Sequence, residues 1–144
     1  METLISQPAK VLYTAKTHTT GNREDGVSRS DDGNLDIRIA LPGSGKPGTN
    51  PEQLFAAGWS ACFDGALGIA AGKSKITLPA GRSIDAEVDL NLNGTSFFLR
   101  ARLNIHLPGV DPEVARSLAD AASNICPYSK AIKGNVDVEY NLIF

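Results

Sequence analysis

The chain has 144 residues, 42% of them apolar and 21% charged, with 14 Gly and 8 Pro spread along it. That is the length of one ordinary domain and the composition of a globular protein, which excludes disorder, collagen and coiled coil. Fourteen Lys and Arg against sixteen Asp and Glu leave a net charge of −2, so neither the basic footprint of a nucleic-acid binder nor a polybasic membrane anchor is present.

No run reaches the roughly 18 apolar residues of a spanning helix. The opening METLISQPAK lacks a basic stretch followed by a long apolar one, so no signal peptide is read and the expected compartment is the cytoplasm. Lys10–Thr19, rich in Val, Tyr and Thr, predicts a first strand. A polar turn from Thr20 to Gly26 leads to a short strand over Val27–Ser30, and Asp31–Asn34 is a tight turn. Leu35–Leu41 alternates with period two, completing an antiparallel meander.

After a Gly/Pro loop from Pro42 to Asn50, the run Thr49-Asn50-Pro51-Glu52 is a helix start. Asn50 or Thr49 suits the cap, Pro51 the first helical position and Glu52 the positive end of the dipole. From Pro51 to about Gly72 only Glu52 and Asp64 are charged, which predicts a long buried central helix. Its Gly58, Gly65 and Gly68 cost about 1 kcal/mol each against Ala; they predict close approach of another backbone, such as a second copy of this helix. Ser83–Leu92 and Phe97–Leu107 form a hairpin around Asn93-Gly94. Asp111-Pro112-Glu113 opens a second helix to about Asn124, Ile125–Ser129 breaks it, and Val136–Ile143 closes the chain as a strand. The expected fold is α+β, βββ-α-ββ-α-β, a single domain over residues 1–144.

Cys62 and Cys126 lie far apart, without C-x-x-C spacing and without a metal-ligand pattern involving His18 or His106. They are either two inert buried thiols or a working pair brought together by folding. Cys126, between a helix exit and Pro127, is placed where a resolving thiol could move. Arg23 sits in a turn, where a solvated loop charge is the plain reading, and Glu52 is accounted for as a first-turn helix residue. His18 and His106 read as strand residues, and Gly43–Lys46 lacks the phosphate-loop pattern.

Asn50-Pro-Glu-Gln-Leu-Phe-Ala-Ala-Gly-Trp-Ser-Ala-Cys-Phe63, followed by Cys126-Pro-Tyr-Ser129 and Gly134-Asn-Val-Asp137, resembles the organic hydroperoxide resistance proteins, a branch of the OsmC/Ohr superfamily. Val11–Ala15, Gly21-Asn-Arg23 and His106-Leu-Pro-Gly109 match as well, so the resemblance covers essentially the whole chain. It implies an intertwined homodimer acting as a thiol-dependent peroxidase on organic hydroperoxides, regenerated by a lipoylated protein or another dithiol, with no metal or cofactor. It assigns Cys62 as peroxidatic thiol, Cys126 as resolving thiol, and Arg23 and Glu52 as the polar pair that activates Cys62. The rival readings are an OsmC-type peroxidase of the same superfamily and a non-catalytic dimeric binder of apolar ligands.

The chemistry is consistent with those roles. A free thiol is only a few per cent ionised at neutral pH, and a guanidinium beside it favours the thiolate. A carboxylate beside it does the reverse, so Glu52 is expected to hold Arg23 rather than touch sulfur. Phe55, Trp59 and Phe63, with Phe97 and Phe98 as further contributors, suit a lipid-like substrate. Glu52 and Cys62 are ten residues apart, about 15 Å along one straight helix. Either that helix is broken or starts late, or Arg23 and Glu52 reach Cys62 from the other subunit, which is the favoured arrangement. Asp64 is expected to point away from the sulfur.

Overall fold

A computed structural model of the protein describes residues 9–144. They form two compact units, one ending at Asn50 and the other running Pro51–Phe144.

The first unit holds β1 (Thr17–Thr20), β2 (Val27–Ser30) and β3 (Asp36–Arg38), antiparallel in that order, the expected meander. β1 is shorter than the Lys10–Thr19 predicted. Its register pairs Thr17 with Ser30, and the chain turns immediately after Ser30, so β2 offers no edge to residues 10–16. Val11, Leu12 and Tyr13 are exposed. The third strand keeps only the middle of the predicted Leu35–Leu41. The loop bearing Arg23 is tied down locally: Asn22 Oδ1 accepts from the Glu24 amide at 2.8 Å and the Asn22 carbonyl from the Gly26 amide at 2.9 Å. Gly21 has φ +80° and a Cβ there would lie 2.8 Å from Gly26 Cα, so this turn needs glycine.

The second unit follows the predicted order with one addition. α1 runs unbroken over Pro51–Lys73, β4 over Ser83–Asn93, β5 over Ser96–His106, α2 over Pro112–Ile125 and β6 over Asp137–Ile143. The addition is α3, Pro127–Ile132, where only a break was expected. β4 and β5 are the antiparallel hairpin turned at Gly94, and β6 joins the far side of β5 in parallel. That parallel neighbour needs a crossover, which α2 and α3 provide. Asp111 caps α2, its Oδ1 accepting from the Glu113 and Val114 amides at 3.0 and 3.3 Å.

Period-two alternation gives the sheet two faces. Ala101, Leu103 and Ile105 of β5 are buried, with Ile84, Ala86 and Val88 beside them on β4 and Val138 and Leu142 on β6. Onto this face α1 lays Trp59, Phe63, Ala66, Leu67, Ala70 and Ala71, all buried, and Phe63 stacks on Tyr140 at 5.6 Å. By length and composition alone α1 is long and apolar enough to cross a membrane, contrary to the expectation that no stretch is. The helix owes that apolarity to a role in the core on one side and to a stripe of small residues on the other.

The opposite face of the sheet is ionic. Arg102 forms a fork on Asp89 with both contacts at 2.8 Å and reaches Glu87 at 3.3 Å, while His106 Nε2 lies 3.0 Å from Asp85. The Arg102 fork holds the Asp89 carboxyl below its ordinary value. A depressed carboxyl pKa stabilises the fold above the unfolded value of about 3.9 and loses that contribution as pH falls through the folded value. Asp89→Asn should therefore be less stable than wild type near neutral pH, and the gap should close as pH drops below about 3.9, measured by urea unfolding across that range. A gap that persists unchanged in acid would contradict the assignment.

Candidate functional site

Proline disfavours the helical conformation in the residue before it. Cys126 precedes Pro127 and is extended, at φ −62° and ψ 118°. α2 therefore ends at Ile125, and α3 begins at Pro127, where a missing N–H leaves no helical bond unmade. Cys126 serves both helices. Its amide donates to the Ala122 carbonyl at 2.8 Å, and its sulfur accepts from the Ser129 amide at 3.5 Å.

Facing this segment is one stripe of α1. Phe55, Gly58, Trp59 and Cys62 follow the i, i+3, i+4, i+7 spacing that shares a helix face. Phe55 stacks on Tyr128 with ring centroids 6.2 Å apart. A Cβ on Gly58 would lie 2.9 Å from Tyr128 Cε2, so this glycine answers a contact within the chain rather than a second helix. Among the described residues, nothing lies within 4 Å of the corresponding position on Gly65 or Gly68. Trp59 Nε1 donates to Ser129 Oγ at 3.0 Å, both residues buried.

One turn further along, the two sulfurs meet: Cys62 Sγ and Cys126 Sγ are 3.2 Å apart. Both are free thiols, Cys126 fully buried and Cys62 half-buried. A disulfide places its sulfurs about 2.05 Å apart, so closure needs an approach of only about 1.2 Å. The sequence leaves Cys126 needing to move to reach Cys62; in the folded chain the two thiols already lie together. Burial pushes the Cys62 thiol up from its ordinary value; the Tyr128 amide opposes that, and the neighbouring Cys126 sulfur adds to it.

Glu52 lies in the first turn of α1, and because the helix is continuous from Pro51 to Lys73, about 15 Å of rise separates it from Cys62. The broken-helix and late-start alternatives are thereby removed. Arg23 belongs to the first unit, in the turn described above. Asp64 does turn from the sulfur: Arg82 grips its carboxylate, Nε at 2.8 Å and Nη2 at 3.2 Å. Trp59 and Phe63 are fully buried and so back the core rather than face a substrate. Phe97 and Phe98 lie at the hairpin end, where Phe97 is well exposed, and they are not among the residues packed against the core with Cys62. Sequence reasoning names Tyr128 and Ser129 only within the Cys-Pro-Tyr-Ser motif and gives Arg82 no role. The signal for the first two was the helical spacing of Phe55, Gly58, Trp59 and Cys62, which demands a partner surface. Among the described residues, no group of three or more His, Cys, Asp or Glu could hold a metal ion.

The family described as OsmC-like protein matches residues 43–141. The organic hydroperoxide resistance protein of Xanthomonas axonopodis pv. citri is 44% identical over 142 residues, 96% of this chain and 99% of its own. The crystal structure of the organic hydroperoxide resistance protein OhrB of Bacillus subtilis superposes with a TM-score of 0.86 at 42% identity, covering 92% of this chain and 100% of that one. An organic hydroperoxide resistance protein OsmC from Legionella pneumophila gives 0.86 at 39% identity, covering 94% and 100%. The OsmC like protein of Mycoplasma pneumoniae, at 20% identity and a TM-score of 0.69, shares the fold alone. The chain belongs to the OsmC-like family, in its organic hydroperoxide resistance branch.

Proposed function

We propose that the protein is a cysteine peroxidase that reduces organic hydroperoxides, alkyl or fatty-acid, to alcohols as part of an oxidative-stress response. The observation that supports this most directly is the 3.2 Å separation of Cys62 and Cys126. The Cys62 thiolate attacks the O–O bond, becomes a sulfenic acid, and the departing alkoxide takes up a proton as the alcohol. Cys126 sulfur displaces the sulfenic oxygen, which leaves with the thiol proton as water, and a disulfide forms. A dithiol, such as the dihydrolipoyl group of a lipoylated protein, returns the pair to thiols by exchange. The partly exposed, stacked rings of Phe55 and Tyr128, on the α1 face that carries Cys62, favour a lipid-like substrate over hydrogen peroxide. The reducing cytoplasm suits a pair that must cycle.

Burial works against a Cys62 thiolate, so the reading needs a nearby cation, and Arg23 held by Glu52 is its source. Two features favour supply of that pair by a second copy. Glu52 is a long way along α1 from the Cys62 of its own chain. The outward face of α1, Ala57, Ala61, Gly65 and Gly68, is exposed and small, and among the described residues its two glycines have no packing reason. A second α1 laid along that stripe accounts for both.

Three outcomes test this reading. Cys62→Ser should abolish reduction of tert-butyl hydroperoxide, while Cys126→Ser should complete a single turnover and then over-oxidise. Full activity in Cys62→Ser would remove Cys62 as the peroxidatic thiol, and absence of hydroperoxide reduction in the wild type would return the chain to a non-catalytic binder. Mixing Arg23→Ala with Cys62→Ser, each inactive alone near neutral pH, should restore about a quarter of wild-type activity, because half the dimers then hold one intact crossed site; no recovery would place Arg23 and Cys62 of one protomer together. Since the thiolate attacks, the single-turnover rate should rise with pH through the Cys62 value. Cys126→Ala removes a group that raises that value, so the midpoint should move to lower pH, and Arg23→Ala should move it to higher pH. A shift in the opposite direction in either variant would be inconsistent with these roles.

A further inference from the structure

Ser129 makes two contacts that together bind the resolving thiol to the helix of the peroxidatic one. Its hydroxyl accepts from Trp59 Nε1 at 3.0 Å, and its amide donates to Cys126 Sγ at 3.5 Å. Trp59 stands three residues before Cys62 on α1, so a closed ring of contacts runs from Cys62 through Trp59, Ser129 and Cys126 back to Cys62 across 3.2 Å. Trp59 is fully buried and Ser129 is 3% exposed, so water does not substitute for either partner. We propose that Ser129 is a positioning residue for disulfide closure: through Trp59 it holds the first turn of α3 against α1 and keeps Cys126 opposite Cys62. The proposal rests on the thiol-peroxidase reading above.

The chemical need is specific. A sulfenic acid at Cys62 has two fates. Cys126 sulfur can attack it, forming the S–S bond and breaking the S–O bond with loss of water. Alternatively a second hydroperoxide molecule oxidises it to the sulfinic acid and leaves as alcohol. The first fate is intramolecular, and its rate depends on how constantly the attacking atom is held within reach. Without the Ser129 hydroxyl, the Trp59 N–H is buried and unpaired; the indole and the turn it grips must readjust. The attack of Cys62 on substrate uses neither group.

The test follows wild type, Ser129→Ala and Ser129→Thr after one equivalent of tert-butyl hydroperoxide. The readouts are emission from the chain's single tryptophan and the cysteine states by mass spectrometry. Ser129→Ala should oxidise Cys62 at the wild-type rate but close the disulfide roughly tenfold more slowly, the factor set by one net hydrogen bond. With excess hydroperoxide it should accumulate Cys62 sulfinic acid where wild type does not, and Ser129→Thr, which keeps the hydroxyl, should restore closure. Trp59→Phe, read by mass alone, provides the same test from the donor side and should also close slowly relative to its own Cys62 oxidation. Disulfide closure at the wild-type rate in Ser129→Ala, or equal slowing of both steps, overturns the positioning role. A fully active Cys62→Ser overturns the peroxidase reading beneath it, whereas an inactive Cys62→Ser with fast closure in Ser129→Ala removes only the role given to Ser129.

Discussion

The thiol pair depends on a steric rule: the residue before a proline avoids the helical conformation. Pro127 imposes it on Cys126, α2 stops, and the chain re-enters a helix almost at once with Cys126 as the shared cap. Had α2 continued, residue 126 would have followed the rotation of that helix instead of leaving it. The break fixes both the location of the sulfur and the direction in which α3 departs. α1 supplies the complementary surface through four residues at helical spacing, and Gly58 leaves the gap that the Tyr128 ring fills. Packing and backbone restriction bring the sulfurs together, with the buried Trp59–Ser129 hydrogen bond tying α3 to α1 beside them.

In the proposed peroxidase reaction, electrostatics then sets a demand that packing cannot meet. The site that shelters the sulfurs from water also penalises charge on Cys62. A positive charge about 4 Å from a thiolate, at an effective dielectric near 20, contributes about 4 kcal/mol, equivalent to roughly three pKa units. That is large enough to overcome a partial burial penalty, whereas one backbone amide is not. The same arithmetic explains why a carboxylate must stay away from the sulfur. Asp64, two residues from Cys62, meets that condition by binding Arg82 instead.

Elements with strong local signals were legible in the sequence. Pro51 opens α1 where the cap signals put it, and the Asn93-Gly94 hairpin and the alternation of β4 and β5 match their predicted spans within a residue or two. What failed locally were features that depend on partners elsewhere. Val11 to Tyr13 have strand composition, yet a strand needs an edge, and β2 ends at Ser30. α3 is six residues long, too short for periodicity to register, although Cys-Pro followed by small and polar residues is itself a cap signature. Within the site, the two cysteines emerged from a motif. Ser129 and Gly58 did not, because their importance lies in contacts across 70 residues for Trp59–Ser129 and in an absent side chain facing a ring.

The unequal exposure of the two sulfurs has a consequence for how an oxidised pair is opened. Cys126 is sealed within the protein, while Cys62 remains partly accessible. Exchange proceeds by attack along the S–S axis at one sulfur, expelling the other. In the proposed peroxidase cycle, an incoming nucleophile would meet Cys62, form its mixed disulfide there and release Cys126 as the leaving group into the interior. Accessibility would then set the direction of regeneration, with the reductant approaching the same sulfur that reacts with the hydroperoxide in that proposal.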